Sequence, residues 1–214
     1  MDYQAILFDM DGTLVDSEHL HIRAWQEVLQ REHLDFPDSW FTQWIGISDV
    51  EFSRAITKQY ALRREDGVLL QSKRDIFRQL AERELVLIQG VQDGLAALKD
   101  VPKVVATSSN RHDAVMSLQV TGLWAHFLGL VSIDDVTNPK PHPEPYTKAA
   151  ELGGHAPHRC IAVEDSVSGI RSAKAAGCFT IAVGNSLPGE QLHAADLVLA
   201  KTQEAMQYII TLLR

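Results

Sequence analysis

The hydrophobic pattern near the N-terminus predicts a short buried strand that ends at two carboxylates. The apolar run Ile6-Leu7-Phe8 is followed by Asp9, Asp11 and the turn residue Gly12. A short run of large apolar residues that stops at a turn is typical of a buried strand. In open α/β sheets, ligands bind at the carboxyl ends of the strands, so Asp9 and Asp11 are candidates for chemistry. The alternative is that both carboxylates only cap a turn, because Asp-Gly is a common turn dipeptide.

The segment after this strand carries a helical pattern and no convincing strand. Ser17, within Asp16-Ser17-Glu18, supplies helix N-cap chemistry. Apolar residues then recur at helical spacing in three groups: Leu20, Ala24, Trp25, Val28 and Leu29; Phe52, Ala55, Ile56 and Tyr60; and Ile76, Phe77, Leu80 and Ala81. We therefore predict an all-helical cap domain over residues 16–87, with hinges near Val15–Ser17 and Leu87–Gly90. Residues 1–15 and 88–214 form the predicted core.

From Val91 onward, strand and helix patterns alternate, which favours βαβ units and a parallel sheet. The predicted strands are Lys103–Thr107, Leu128–Ile133, Cys160–Val163, Thr180–Val183 and Leu197–Leu199. The predicted helices are Gln92–Lys99, Asp113–Thr121, Tyr146–Leu152, Ser168–Ala176 and Gln203–Leu212. The fold class is therefore α/β, with a Rossmann-like parallel sheet core and an inserted all-helical cap domain.

Composition and charge narrow the classes of function. The chain has 214 residues, of which 45% are hydrophobic, enough for a core domain with a smaller companion. It carries 20 Lys and Arg against 28 Asp and Glu, a net charge of -8. Because the basic residues are not clustered, we expect no nucleic-acid partner. An acidic enzyme that handles anionic substrates must concentrate positive charge locally, through a metal ion, a lysine or helix N-termini.

The cysteines and the N-terminus predict a cellular setting. Cys160 and Cys178 lie in apolar contexts, so we expect both to be buried and reduced. The N-terminus lacks a signal-peptide pattern, and no apolar run approaches the roughly 18 residues of a membrane span. We expect a cytoplasmic monomer without a membrane partner. The nine histidines show no metal-ligand spacing, so a zinc site is not expected.

Four predicted strand ends carry polar residues suited to phosphoryl transfer. They are Asp9 with Asp11, Thr107 with Ser108, Lys140, and Glu164 with Asp165. In a parallel sheet they share one edge. Together they supply a carboxylate nucleophile, an acid/base, a cation, hydroxyl and amide donors, and acidic ligands for a metal. Each has a structural alternative, since the hydroxyl and acidic runs can cap the helices that follow and Lys140 can be a solvated loop lysine.

These segments resemble the four motifs of a known family. The segments are Phe8-Asp9-Met10-Asp11-Gly12-Thr13-Leu14-Val15-Asp16-Ser17-Glu18, Thr107-Ser108, Lys140-Pro141 and Val163-Glu164-Asp165-Ser166. In order and spacing they resemble the haloacid dehalogenase superfamily. Within it, the chain is similar to the beta-phosphoglucomutase-like phosphatases, whose helical cap follows the first motif. One departure is Pro139 before Lys140, where the family usually has a small residue.

The resemblance implies a role for each matched residue. Asp9 corresponds to the nucleophile that forms an aspartyl-phosphate, and Asp11 to the general acid and base. An aspartate with a reference pKa of about 3.9 donates a proton at neutral pH only if its site raises that pKa, which cap closure is expected to do. The other implied roles fall to Thr107 and Lys140 in catalysis, to Gly12 and Ser108 in phosphate binding, and to Asp9, Asp11, Glu164 and Asp165 as ligands of Mg²⁺.

The predicted cap residues decide between two reactions. Ser17, His21, Trp25 and Lys73 fall where the mutase of this family has comparable residues, and Ser17, His21 and Lys73 are candidate substrate contacts. For His21 a surface or packing role is an equal alternative, and for Trp25 packing is favoured over recognition. The segment Gly46–Asp49, however, places Asp49 where the mutase has a phosphate-binding arginine, and a carboxylate repels a second phosphate. The resemblance therefore favours hydrolysis of a small phosphorylated metabolite such as a sugar phosphate. The alternatives are a phosphosugar mutase and a non-catalytic binding module.

Overall fold

Six parallel strands form the central sheet of the protein. The computed structural model describes residues 2–44, 47–62 and 67–213. The strands are β1 (Ala5–Phe8), β2 (Val15–Asp16), β3 (Val86–Leu87), β4 (Lys103–Ala106), β5 (Gly129–Val131), β6 (Cys160–Glu164), β7 (Phe179–Val183) and β8 (Leu197–Leu199). The sheet has the order β5-β4-β1-β6-β7-β8, and every pairing in it is parallel. The predicted Rossmann-like α/β core is therefore confirmed.

Four helices are inserted between β2 and β3, and they form the predicted all-helical cap. They are α1 (Glu18–Arg31), α2 (Asp38–Phe41), α3 (Asp49–Gln59) and α4 (Val68–Glu84). The helices of the core are α5 (Val91–Ala97), α6 (Arg111–Val120), α7 (Glu144–Leu152), α8 (Val167–Ala176) and α9 (Thr202–Leu212). No strand interrupts the described residues between β2 and β3. Gly46, part of the predicted cap loop, lies outside the described residues.

The chain enters and leaves the cap through a two-stranded ribbon. β2 and β3 pair antiparallel, with Val15 opposite Leu87 and Asp16 opposite Val86. The amide of Ile88 also donates to the carbonyl of Leu14 at 3.0 Å. The predicted boundaries between core and cap, after residues 15 and 87, pass through this ribbon and stay a prediction.

The side chains of β1 alternate between two apolar clusters, one on each face of the sheet. Ile6 and Phe8 belong to the larger cluster, which continues into the cap through α1 and α4. Leu7 belongs to the second cluster, with Tyr146 of α7. Because helices cover both faces, a central strand has no solvent side, which explains its uninterrupted apolar sequence. The first helix of the cap buries Leu20, Ala24, Trp25, Val28 and Leu29, as its periodicity predicts.

Two features of the structure differ from what the sequence pattern predicts. The predicted strand Leu128–Ile133 is shorter in the structure, where β5 stops at Val131. It stops because the amide and hydroxyl of Ser132 donate to Asp135 at 2.8 and 2.5 Å, which bends the chain into a 3₁₀ turn. Ser17 occupies the N-cap position of α1 but makes no capping hydrogen bond with its side chain. Its hydroxyl has another partner, described with the site below.

Two further expectations concern the cysteines and the membrane. Cys160 and Cys178 are free and buried, as predicted. Burial raises the pKa of the Cys160 thiol to about 11 and that of Cys178 to about 12. Within residues 2–44, 47–62 and 67–213, each helix is too short or too polar to traverse a lipid bilayer.

Truncation of the central strand should destabilise the protein strongly. Leu7 is fully buried in β1, and we expect Leu7→Ala to lower the free energy of unfolding by about 2–5 kcal/mol, because it removes apolar contacts and leaves a cavity. Leu128 is 62% exposed, so the matched variant Leu128→Ala should change that free energy by less than about 0.5 kcal/mol. Urea unfolding measures both values, and equal losses would contradict this account of the core.

Candidate active site

The carboxyl ends of three neighbouring strands meet at one edge of the sheet. Asp9 follows β1, Thr107 follows β4 and Asp165 follows β6, and β1 lies between the other two. A cavity separates this edge from the cap. The predicted core residues on its wall are Asp9, Asp11, Thr107, Ser108, Lys140 and Asp165. The structure thus brings together residues that are more than 150 positions apart in the chain.

Lys140 is held between two carboxylates and is not a solvated loop lysine. Its ammonium donates to Asp9 Oδ1 and Glu164 Oε1, each at 2.6 Å, and to the carbonyl of Ala106 at 2.8 Å. Burial alone would lower the pKa of Lys140, but the charges of Asp9 and Glu164 outweigh burial and raise it. Lys140 therefore stays charged at neutral pH and fixes the orientation of the Asp9 carboxylate.

Glu164 is fully buried and organises the edge from behind the cavity wall. Besides Lys140, it accepts a hydrogen bond from the Tyr146 hydroxyl at 2.9 Å and from the amides of Asp165 and Ser166, both at 3.1 Å. The Ser166 hydroxyl donates to it at 2.9 Å and also accepts from the Gly169 amide at 3.1 Å. Ser166 therefore does cap α8, as the structural alternative predicts, while it also holds Glu164.

Three carboxylates lie close enough to share one metal ion. Asp9, Glu164 and Asp165 each offer an oxygen atom, and these oxygens lie within 4.8 Å of one another. Burial, followed by the charge of neighbouring carboxylates, raises the pKa of Asp165, and burial also raises that of Asp9 in spite of Lys140. A cation would offset this crowding of negative charge. Buried carboxylate oxygens are the ligands that hard divalent cations prefer, so these residues fit a metal of that class.

The Asp11 carboxylate has partners outside this group of three. Ser17 and Ser109 donate to its two oxygens at 2.6 and 2.7 Å, and His21 Nε2 lies 3.5 Å from Oδ1. Burial would raise the pKa of Asp11, but hydrogen bonds from His21, Ser17 and Ser109 outweigh burial and lower it. The expectation that the site raises this pKa is therefore not met in this structure. Metal binding by Asp11 stays a prediction.

The hydroxyl run after β4 does not cap the next helix. Asn110 is the N-cap of α6, and its side chain accepts from the Asp113 amide at 3.0 Å. Thr107 is buried, and its hydroxyl accepts from the Ser109 amide at 3.0 Å. Thr107 and Ser108 therefore remain available at the cavity wall. Ser109 was not predicted from the sequence as a partner of Asp11.

A chain of polar contacts links the cap to Asp11. The Lys73 ammonium donates to Asp49 Oδ2 and to His21 Nδ1, both at 2.5 Å, and the Trp25 indole donates to Asp49 Oδ1 at 2.9 Å. Since an ammonium only donates, His21 Nδ1 is an acceptor and its Nε2 carries the proton that faces Asp11. The His21 ring also stacks on Phe77, with centroids 4.1 Å apart.

Three predicted substrate contacts are not on the cavity wall. In the part of the chain that the structure describes, His21 and Ser108 line the cavity, whereas Gly12, Ser17 and Lys73 do not. Lys73 is 1% exposed and lies behind Asp49 and His21. Gly12 has φ +75°, and a Cβ there would lie 2.0 Å from Asp165 Oδ2, so its place in the site is conformational. Direct substrate contact by these three residues stays a prediction.

The chain is similar to proteins of a known family. Residues 6–183 match the family model of the haloacid dehalogenase-like hydrolases. Hexitol phosphatase A of Escherichia coli is 32% identical over 95% of this chain and 94% of its own length. The beta-phosphoglucomutase of Bacillus subtilis is 26% identical over 94% of this chain and 91% of its own.

A solved structure has the same overall arrangement. It is the crystal structure of CbbY from Rhodobacter sphaeroides in complex with phosphate, with a TM-score of 0.85, 26% identity, and coverage of 94% of this chain and 96% of that one. The family model spans most of the chain, including the strand ends after β1, β4 and β6. This chain therefore belongs to the haloacid dehalogenase-like hydrolases.

Proposed function

We propose that the protein is a Mg²⁺-dependent phosphatase that hydrolyses a small phosphorylated metabolite, such as a sugar phosphate, through an aspartyl-phosphate on Asp9. The observation that carries the proposal is the placement of Asp9. It lies on the cavity wall with Lys140 at 2.6 Å and shares a possible metal site with Glu164 and Asp165. The similarity to hexitol phosphatase A supports a small phosphorylated molecule as the substrate.

The charge on the cavity wall supports the need for a metal. Among the described residues, Lys140 is the only lysine or arginine on the wall, and its charge is already shared by Asp9 and Glu164. The wall carries five carboxylates, those of Asp9, Asp11, Glu18, Asp49 and Asp165. A phosphate group would be repelled by this surface. A divalent cation held by Asp9, Glu164 and Asp165 would supply the attraction and stabilise negative charge on the transferring phosphoryl group.

In the first step, an oxygen of Asp9 attacks phosphorus and the bond from phosphorus to the ester oxygen breaks. Lys140 donates a hydrogen bond to the other carboxylate oxygen of Asp9, Oδ1, and keeps the carboxylate oriented. Asp11 gives a proton to the departing ester oxygen, which leaves as an alcohol. The contacts seen here favour the ionised form of Asp11, and a bound phosphate nearby would raise its pKa because like charges disfavour ionisation.

In the second step, water attacks the phosphorus of the aspartyl-phosphate. Asp11 accepts a proton from this water, the bond to Asp9 breaks and inorganic phosphate is released. The lowered pKa keeps Asp11 ionised in the absence of substrate, so its oxygens carry no proton. Thr107 and Ser108, at the end of β4, are placed to donate hydrogen bonds to phosphoryl oxygens.

Hydrolysis is favoured over phosphosugar isomerisation by the pairing of Lys73. The mutase alternative needs the cap to hold a second phosphate, but Lys73 is paired with Asp49 and does not line the cavity. The third alternative, a non-catalytic binding module, is disfavoured because Asp9, Asp11, Thr107 and Lys140 are all in place at the cavity. The cytoplasmic location and the monomeric state expected from the sequence stay predictions.

Loss of the nucleophile should abolish turnover without unfolding the protein. We expect Asp9→Asn to reduce phosphate release by at least ~10³-fold, because an amide oxygen does not attack phosphorus. Asp93 is exposed on α5, and Asp93→Asn is the matched control, with activity unchanged. Release of inorganic phosphate is measured alongside circular dichroism. Activity that survives in Asp9→Asn would rule out the aspartyl-phosphate mechanism.

Metal removal should abolish activity, and added Mg²⁺ should stabilise the fold. At a concentration 100 times its Kd, an ion that binds only the folded state adds about 2.7 kcal/mol of stability, which raises Tm. We expect this rise in the unmodified protein and in Asp93→Asn, and a loss of it in Asp165→Asn. Differential scanning calorimetry with EDTA or Mg²⁺ measures the shift. An equal shift in Asp165→Asn would show that Mg²⁺ binds elsewhere.

A substrate panel separates hydrolysis from isomerisation. With hexose, hexitol, glycolate and nucleoside phosphates and with pyrophosphate, we expect Mg²⁺-dependent release of phosphate, fastest with sugar or sugar-alcohol phosphates. Beta-glucose 1-phosphate should yield free phosphate and little glucose 6-phosphate, because none of the cap residues that the structure describes places a lysine or arginine on the cavity wall for a bisphosphate intermediate. Efficient formation of glucose 6-phosphate, stimulated by the bisphosphate, would favour the mutase.

A further inference from the structure

The wall of the cavity on the cap side differs in chemistry from the wall on the core side. Trp25, Phe41, Trp44 and Phe52 supply aromatic rings, and the ring centroids of Trp25 and Trp44 lie 4.4 and 4.8 Å from that of Phe52. Such rings are flat and uncharged. The phosphoryl group is bound at the core side under the proposed function, so this aromatic wall faces the remainder of the substrate.

The ionisable groups on the cap wall, among the described residues, are two carboxylates and a histidine. Glu18 and Asp49 line the cavity. Each oxygen of Asp49 accepts one hydrogen bond, Oδ2 from Lys73 and Oδ1 from Trp25. A carboxylate can accept about four hydrogen bonds in total. Asp49 can therefore accept further hydrogen bonds from a ligand. His21, the third group, is already directed at Asp11 and Lys73.

The ammonium of Lys73, which contacts Asp49 and His21 of this wall, is neutralised. Lys73 is 1% exposed, and its ammonium lies 2.5 Å from Asp49 Oδ2. The same ammonium lies 5.0 Å from the ring centroid of Phe77 and 5.9 Å from that of Trp25. Among the described residues, the cap contributes no lysine or arginine to the cavity wall. A second anionic group on the substrate would therefore meet Glu18 and Asp49 without a compensating charge.

We propose that this wall restricts the substrate to phosphomonoesters whose remainder is uncharged or cationic and rich in hydroxyl groups, with Asp49 as the residue that excludes a second phosphate. The inference rests on the proposed function, because it assigns the core side of the cavity to the phosphoryl group. Hydroxyl and ammonium groups donate hydrogen bonds to Asp49, whereas a phosphate only adds a like charge.

Ligand binding to the Asp9→Asn protein tests the inference without turnover. Two pairs of probes are titrated calorimetrically in the presence of Mg²⁺. Fructose 6-phosphate and fructose 1,6-bisphosphate differ by one phosphate, and glucose 6-phosphate and glucosamine 6-phosphate differ by one ammonium group. We expect the monophosphate to bind at least ~10-fold more tightly than the bisphosphate. This ratio is the expected effect of one unfavourable contact between like charges in a partly desolvated cavity. We expect glucosamine 6-phosphate to bind more tightly than glucose 6-phosphate.

Two substitutions in the same background should shift this preference in opposite directions. Asp49→Asn leaves Lys73 without its counter-charge, so the preference against the bisphosphate should fall at least ~10-fold and the preference for the ammonium should be lost. Lys73→Met leaves Asp49 unpaired, so both preferences should increase. Glu27 is exposed on the outer surface of α1 and is paired with Arg31. Glu27→Gln removes one charge as Asp49→Asn does, and it should change neither preference.

The outcomes separate this inference from the proposed function. Equal binding of the mono- and bisphosphate, no binding of either, or an unchanged ratio in a folded Asp49→Asn protein would overturn the inference. Thermal unfolding tests whether each variant is folded. If a cap variant is unfolded, the comparison of probes in the Asp9→Asn protein, whose cap is unsubstituted, still tests the inference. Phosphate release by the protein with Asp9 intact is measured separately. Its absence alongside the expected binding preference would refute the phosphatase and leave the inference on recognition supported.

Discussion

The site depends on one buried ammonium group held among carboxylates at the edge of the sheet. Lys140 contacts Asp9 and Glu164 at 2.6 Å each, and Asp165 completes the acidic group. Buried carboxylates repel one another and lose hydration, so without Lys140 this arrangement would be costly. A single lysine does not balance three carboxylates, and the remaining negative charge is what makes the site suitable for a divalent cation. The order of the strands, with β1 between β4 and β6, brings these charges together.

The same constraint explains why two glycines are required at the site. A Cβ on Gly169 would lie 1.7 Å from Glu164 Oε1, and a Cβ on Gly12 would lie 2.0 Å from Asp165 Oδ2. Real Cβ atoms do not approach other atoms this closely. Both glycines therefore leave room for a carboxylate with a fixed partner, which is Lys140 for Glu164 and the Ser186 hydroxyl for Asp165. Gly12 also has a positive φ of 75°, which residues with a Cβ rarely adopt.

Local patterns predicted the elements and the strand ends, but not the partners of the side chains. The spacing of apolar residues in α1 identified its five buried positions, and the polar residues after β1, β4 and β6 identified the site. Tyr146 was predicted only as part of a helix, since nothing in its own segment reveals that its hydroxyl donates to Glu164, 18 residues away. Lys73 looks like a substrate contact in the sequence, and only the packing of α4 shows that Asp49 and His21 occupy its ammonium.

The direction of the pKa shift of Asp11 shows why acid–base chemistry was the least predictable part of the site. Burial alone would raise that pKa, and the sequence contains no means of weighing burial against hydrogen bonds from distant segments. Ser109 comes from the core, whereas Ser17 and His21 come from the start of the cap. The proton affinity of Asp11 is therefore set from both sides of the cavity. Because the cap contacts lower it and a bound phosphate raises it, the position of the cap and the occupancy of the site act on the same carboxylate in opposite directions.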